Sequence, residues 1–169
     1  MNGYGSINVT NGVYLGYGAL SAGILEINGG SMTVNKTGNL AFDVGGQGHG
    51  EVNMTGGTLT LLGRLNLSHF AGSTGHVQLD GGVLDVNDIV LWNGTGTMDI
   101  TGGTMLVGSS RMGRLNVYVN AGSLTGYGDP GNVVLTDLGN GITEVTAIPE
   151  PASLALAAFG VLALLRRRR

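Results

Sequence analysis

Leu25-Glu26-Ile27-Asn28-Gly29-Gly30-Ser31-Met32-Thr33-Val34 places an apolar residue at every second position on both sides of a glycine pair. A period of two is the spacing of side chains on one face of a β-strand, so each arm offers one apolar face. The same pattern returns as Val52-Asn53-Met54-Thr55-Gly56-Gly57-Thr58-Leu59-Thr60-Leu61, again from Val77 to Val86 around Gly81-Gly82, and again from Met98 to Val107 around Gly102-Gly103. Weaker copies flank these four. Ile7 to Gly16 carries Asn11-Gly12 at the turn, and Val117 to Gly126 carries Ala121-Gly122. The second turn residues, at 12, 30, 57, 82, 103 and 122, are spaced by 18, 27, 25, 21 and 19 positions.

Two architectures use such units. In a hairpin meander the glycine pairs are tight two-residue turns. In a parallel β-helix they are corners at which one rung bends from one face to the next. The average period of about 22 residues, with apolar positions repeating in register, suits one coil per repeat, because stacking buries what a single repeat cannot. The expected fold is all-β: a right-handed parallel β-helix (β-solenoid) of about six rungs over residues 1–127. Its predicted core stacks Leu25, Ile27, Met32 and Val34 on Val52, Met54, Leu59 and Leu61. Those stack on Val77, Leu79, Leu84 and Val86, and these in turn on Met98, Ile100, Met105 and Val107. Further short strands are read at Val13-Tyr14-Leu15, Leu40-Ala41-Phe42, Leu65-Asn66-Leu67 and Ile89-Val90-Leu91.

After Gly126 the repeat stops. Residues 128–148 read as a turn at Asp129-Pro130-Gly131 and two strands, Asn132 to Asp137 and Ile142 to Thr146, that would cover the last rung's open edge. Residues 149–169 differ in kind. Pro149-Glu150-Pro151 precedes an uncharged apolar run, Ala152 to Leu165, and the chain finishes in Arg166-Arg167-Arg168-Arg169. As a helix the run reaches roughly 21 Å, short of a hydrocarbon core of roughly 30 Å. It can span with snorkelling arginines and local thinning. The expectation is a C-terminal transmembrane helix with its arginines on the cytoplasmic side as anchor and stop.

This tail resembles the PEP-CTERM sorting signal of exopolysaccharide-producing Gram-negative bacteria, which is also labelled an ice-binding protein C-terminal domain. The resemblance implies recognition by an exosortase-type membrane protease that cuts near Pro149-Glu150-Pro151. The chain would then pass through the inner membrane and end at the cell surface or outside the cell, with exopolysaccharide as a possible partner. The repeats themselves are similar to the autotransporter-type β-strand repeats of bacterial surface proteins.

Composition agrees with strands joined by glycine turns, while the lack of cysteine does not decide the compartment. The chain has 33 glycines, 5% aromatic and 11% charged residues, and no cysteine. Residues 1–148 hold ten acids against Lys36, Arg64, Arg111 and Arg114, a net −6 that lacks the basic footprint of a nucleic-acid partner. The opening MNGYGSINVTNG has no basic segment followed by an apolar one, so it does not read as a secretory leader. With an export signal at the other end, the expectation is a fragment or a mis-assigned start.

Chemistry is sparse. Asp43, Asp80, Asp85, Asp88 and Asp99 are the carboxylates that a β-helix lyase or hydrolase, or a Ca²⁺ site, would draw on. Asp80 and Asp99 fall at polar repeat positions held elsewhere by Asn28, and by Asn53 and Gln78. His49, His69 and His76 lie in or beside glycine loops with no second ligand at metal spacing. Gly45-Gly46-Gln47-Gly48-His49-Gly50 lacks the Gly-Lys-Ser/Thr ending of a phosphate loop and reads as a flexible turn. A threonine ladder suited to ice appears only at Thr58-Leu59-Thr60, its equivalents being Ser31-Met32-Thr33, Val83-Leu84-Asp85 and Thr104-Met105-Leu106. Trp92 and Tyr118 are candidates for stacking on a glycan. No catalytic residue, cofactor or metal is assigned, and the expected role is that of a non-catalytic exported surface or matrix protein.

Overall fold

A computed structural model describes residues 5–92 and 94–149 of the chain. The body is a β-solenoid of about five turns, each turn built from up to three strand segments. The first turn contributes β1 (Ser6–Val9) and β2 (Val13–Leu15), the second β3 (Ala22–Val34) and β4 (Phe42–Val44). The third turn is the single bent strand β5 (His49–Leu67), the fourth is β6 (Thr74–Leu91), and the fifth has β7 (Thr95–Ile100) and β8 (Thr104–Val107). All neighbouring turns pair in parallel. Leu25, Val52, Val77 and Met98 face one another in successive turns, as do Met32, Leu59, Leu84 and Met105.

Parallel register decides between the two readings of the glycine pairs. They are corners, with Gly30, Gly57 and Gly82 at φ of +71°, +79° and +82°, a region open to glycine at little cost. A Cβ on Gly57 would lie 2.7 Å from the Gly30 carbonyl oxygen of the turn above, so the corners also stack too closely for a side chain. The predicted core is buried throughout except for Leu25, which is partly buried against it. Each fully buried Leu, Ile, Val or Met adds about 1.5–3 kcal/mol of apolar burial, an upper figure because denatured chains already hide some surface.

A second glycine ladder lies where the loops return to the first arm. Gly23, Gly50, Gly75 and Gly96 pair there in register. At Gly50 and Gly75 a Cβ would meet backbone atoms at 2.1 and 2.2 Å. The chain crosses itself there, and only backbone fits.

Three local readings are corrected. Ser6–Val9 pairs with Ser31–Val34, so it is the second arm of its repeat and Asn11-Gly12 is not the corner. The strand read at Leu40-Ala41-Phe42 lies instead at Phe42–Val44, where Phe42 and Val44 enter the core between Val13 and Leu15 on one side and Leu65 and Leu67 on the other. The sixth rung is incomplete, which is why about five turns form rather than six. Residues 112–120, including the supposed arm at Val117, form helix α1 (Met112–Asn120). What looked like alternation at Val117 and Val119 is a helical stripe: Leu115 is fully buried, Tyr118 and Val119 pack on the core, and Val117 is 62% exposed. Of the sixth turn, β9 (Leu124–Gly126) remains, paired with β7.

The chain then makes a 3₁₀ turn at Pro130–Asn132, where the Asp129 carboxylate accepts from Gly131 N at 2.7 Å. It closes with β10 (Val133–Gly139) and β11 (Ile142–Ala147), an antiparallel hairpin. β11 runs antiparallel to β8, setting Val145 opposite Met105, and so covers the edge that the helix leaves open.

Candidate functional site

Several outward polar side chains of the solenoid are bonded to one another. Asp80 Oδ1 accepts from Gln78 Nε2 at 2.6 Å and from Thr101 Oγ1 of the next turn at 2.5 Å. Asp99 Oδ1 accepts from Thr125 Oγ1 at 2.5 Å and from Gly128 N at 2.9 Å. These two carboxylates, weighed as acids or Ca²⁺ ligands, act as bridges between rungs. His49 and His76 lie within hydrogen-bond distance of Thr74 and Thr97 on the following turns, at 2.8 and 2.9 Å. The register confirms that Ser31, Thr58, Val83 and Thr104 share one outward position, and that Thr33, Thr60, Asp85 and Leu106 share the next. A continuous threonine surface does not result.

Asp88 is different. It is 4% exposed and gathers three of the four basic residues that precede the tail. Arg111 reaches it twice, Nε to Oδ1 at 2.7 Å and Nη2 to Oδ2 at 3.2 Å. Arg114 Nη1 donates at 2.9 Å and Arg64 Nε at 3.3 Å. Ile89 N completes the set at 2.9 Å. This cluster fastens the start of α1 to the third strand segments of two turns. Sequence spacing alone gave no hint of it, because Arg64, Asp88 and Arg111 are far apart along the chain.

The cavity with the clearest chemistry lies over the outer face of β2 and β4. It is a cleft of about 350 Å³ lined by Tyr14, Tyr17, Leu40, Asp43, His69 and Phe70. Asp43, in the middle of β4, is 1% exposed. Its Oδ2 accepts from His69 Nδ1 at 3.0 Å, and its Oδ1 is buried with no hydrogen-bond partner among the described residues. His69 is stacked between Phe70 and Trp92, at centroid distances of 4.7 and 5.1 Å. Trp92 is held in turn by Nε1 donating to Asn66 Oδ1 at 2.8 Å. Tyr14 and Tyr17 meet edge to face at 5.3 Å. Tyr118, the other aromatic singled out in the sequence, is packed on the core, and its hydroxyl accepts from Leu91 N at 3.2 Å.

The local backbone explains the opening. Gly45-Gly46-Gln47 stacks beneath Gly16-Tyr17-Gly18, with Gly45 N bonded to Leu15 O and Gln47 N to Gly16 O, and His69 and Phe70 bond from their amides to Gly45 O and Gly46 O on the other side. The glycine run is thus a hydrogen-bonded corner. Coils above and below it carry rings, while it carries none, and a Cβ on Gly46 would already lie 3.2 Å from the Tyr17 Cα. The cleft lies beside this corner, between side chains of the first, second and third turns.

At the other end of the body, Ile148 N donates to Asn132 O at 2.9 Å, and Pro149 follows at once, exposed. Residues 147–169 match the PEP-CTERM protein-sorting motif. A PEP-CTERM signal implies sorting by an exosortase, itself a membrane protein, with membrane-anchored transit and then export to the surface of a Gram-negative bacterium. Of the residues read as its working parts, Glu150, Pro151, Arg166, Arg167, Arg168 and Arg169 lie outside the described residues, as does the apolar helix expected before the arginines. Among the described residues no helix is long and apolar enough to cross a membrane. Comparisons with curated proteins and with solved structures found no match.

Proposed function

We propose that this chain is a non-catalytic surface or extracellular-matrix protein, delivered through its PEP-CTERM tail and processed near Pro149-Glu150-Pro151 by an exosortase. The observation that carries the reading is the sorting motif starting at residue 147, where strand β11 ends. The hairpin and the signal are contiguous, so a cut near Pro149 would separate the β-body from the residues that follow it. The solenoid then stands as a stiff, glycine-cornered rod within an exopolysaccharide matrix. Support for a structural role comes from how the carboxylates are used: Asp80 and Asp99 tie rungs together, and Asp88 is saturated by arginines.

Replacing Pro149-Glu150-Pro151 by three alanines in an exosortase-containing host is the test. The expected result is a full-length chain retained in the membrane fraction, while the unaltered chain appears shortened at the surface or in the medium. Equal release of both chains refutes sorting through this motif.

A further inference from the structure

We propose that the cleft between Tyr17 and Phe70 binds an uncharged pyranose residue of a glycan. The described chain carries seven aromatic side chains, and four of them, Tyr14, Tyr17, Phe70 and Trp92, gather on this one face, 39–61% exposed. Large apolar rings left in water at one place mark a binding surface more often than a packing accident. The position of the rings narrows the ligand. Tyr17 and the His69–Phe70 pair stand on the first and third turns, with Gly46 of the second turn between them. Their backbones are two rung spacings, about 9.6 Å, apart, so a flat ring entering the cleft meets aromatic side chains from both turns.

The polar groups narrow it further. The cleft is lined by Tyr14, whose hydroxyl donates to Leu40 O at 3.4 Å, by His69 and by the Asp43 carboxylate, whose Oδ1 has no donor among the described residues. With Nδ1 at Asp43, the other ring nitrogen of His69 is left for a ligand hydroxyl. A pyranose matches this set: its C–H faces lie on rings, and its hydroxyls donate at its rim. A purely apolar ligand would leave the polar groups unanswered. No lysine or arginine among the described residues lines the cleft, and a carboxylate sits at its base, so uronate-bearing polymers are disfavoured by charge. At about 350 Å³ the cleft is at the small end of ligand pockets, suited to one or two sugar units rather than a long strand of polymer.

The test titrates the full chain, held in a polyoxyethylene detergent without a sugar headgroup, with maltotriose, cellotriose, mannotriose and N-acetylchitotriose. The signals followed are Trp92 fluorescence and calorimetry. At least one of these glycans is expected to bind, and Tyr17→Ala and Phe70→Ala are each expected to weaken it tenfold or more. Tyr127→Ala, which removes an exposed aromatic elsewhere, leaves it unchanged. Thermal melts of each variant separate lost binding from lost folding. Binding of none of the four, affinity unmoved by both cleft variants, or saturation by tetramethylammonium in place of the sugars overturns the proposal. Export is read in a separate experiment, so neither result depends on the other.

Discussion

Asp88→Asn isolates the most concentrated electrostatic feature of the fold. The substitution preserves shape and removes one charge, leaving Arg64, Arg111 and Arg114 crowded around a neutral amide. Asn can accept at Oδ1 but presents an NH₂ where Oδ2 now takes two arginine contacts, at 3.2 and 3.3 Å. Breaking a buried ion pair from one side costs about 3–5 kcal/mol. Here the carboxylate is 5% exposed, but the arginine side chains are 20–33% exposed and can turn partly to water. Screening therefore reduces the expected loss to about 2–3 kcal/mol. For a body of this size that corresponds to a fall in Tm of about 4–10 °C. Urea unfolding followed by circular dichroism gives the free energy, and limited proteolysis reports α1 separately, because the cluster holds its first turn. The loss should persist in high salt, since the carboxylate is buried. A change under about 0.5 kcal/mol, the range of an ordinary surface substitution, would refute the view that Asp88 fastens the helix to the coil.

Two further substitutions test the fold itself. Gly75→Ala drives a Cβ to 2.2 Å from the Val44 carbonyl oxygen and should destabilise by about 3 kcal/mol or more, whereas Gly113→Ala, in open space within α1, should stabilise by about 0.5–1 kcal/mol; the same sign for both in denaturant unfolding would contradict the glycine ladder. Leu115→Ala should cost about 2–4 kcal/mol while Val117→Ala stays within about 0.5 kcal/mol, and a reversed order would restore the strand reading of that segment.

The solenoid was legible because its core obeys one rule many times. Sixteen inward positions were read from alternation beside a glycine pair, and fifteen are buried. The rule fails where a short window fits two periods. Val117-Tyr118-Val119 alternates, yet with Leu115 it also makes a three-and-four spacing, and packing of Leu115 settles the choice for a helix. The first repeat failed for another reason. Ser6-Ile7-Asn8-Val9 matches Ser31-Met32-Thr33-Val34 residue for residue in type, but anchoring on Asn11-Gly12 as a corner shifted it by one arm. The cleft was hidden because its parts, Tyr14, Tyr17, Asp43, His69 and Phe70, sit in three different coils. Local sequence shows what each corner contains, while the cleft depends on which corners lie above one another. The one available signal was an odd rung, a glycine run flanked in neighbouring copies by aromatic residues.

The hydrogen bond from Ile148 to Asn132 also gives the molecule a mechanical grain. Among the described residues it is the last tie before Pro149, so a pull applied through the residues beyond it would enter here. The load meets β11 first. That strand is joined to β10 by six residue pairs and to β8 by three, a modest seam beside the long ladders of the coil interior. A pull from that end would therefore load the hairpin before the coils, which are joined by longer ladders.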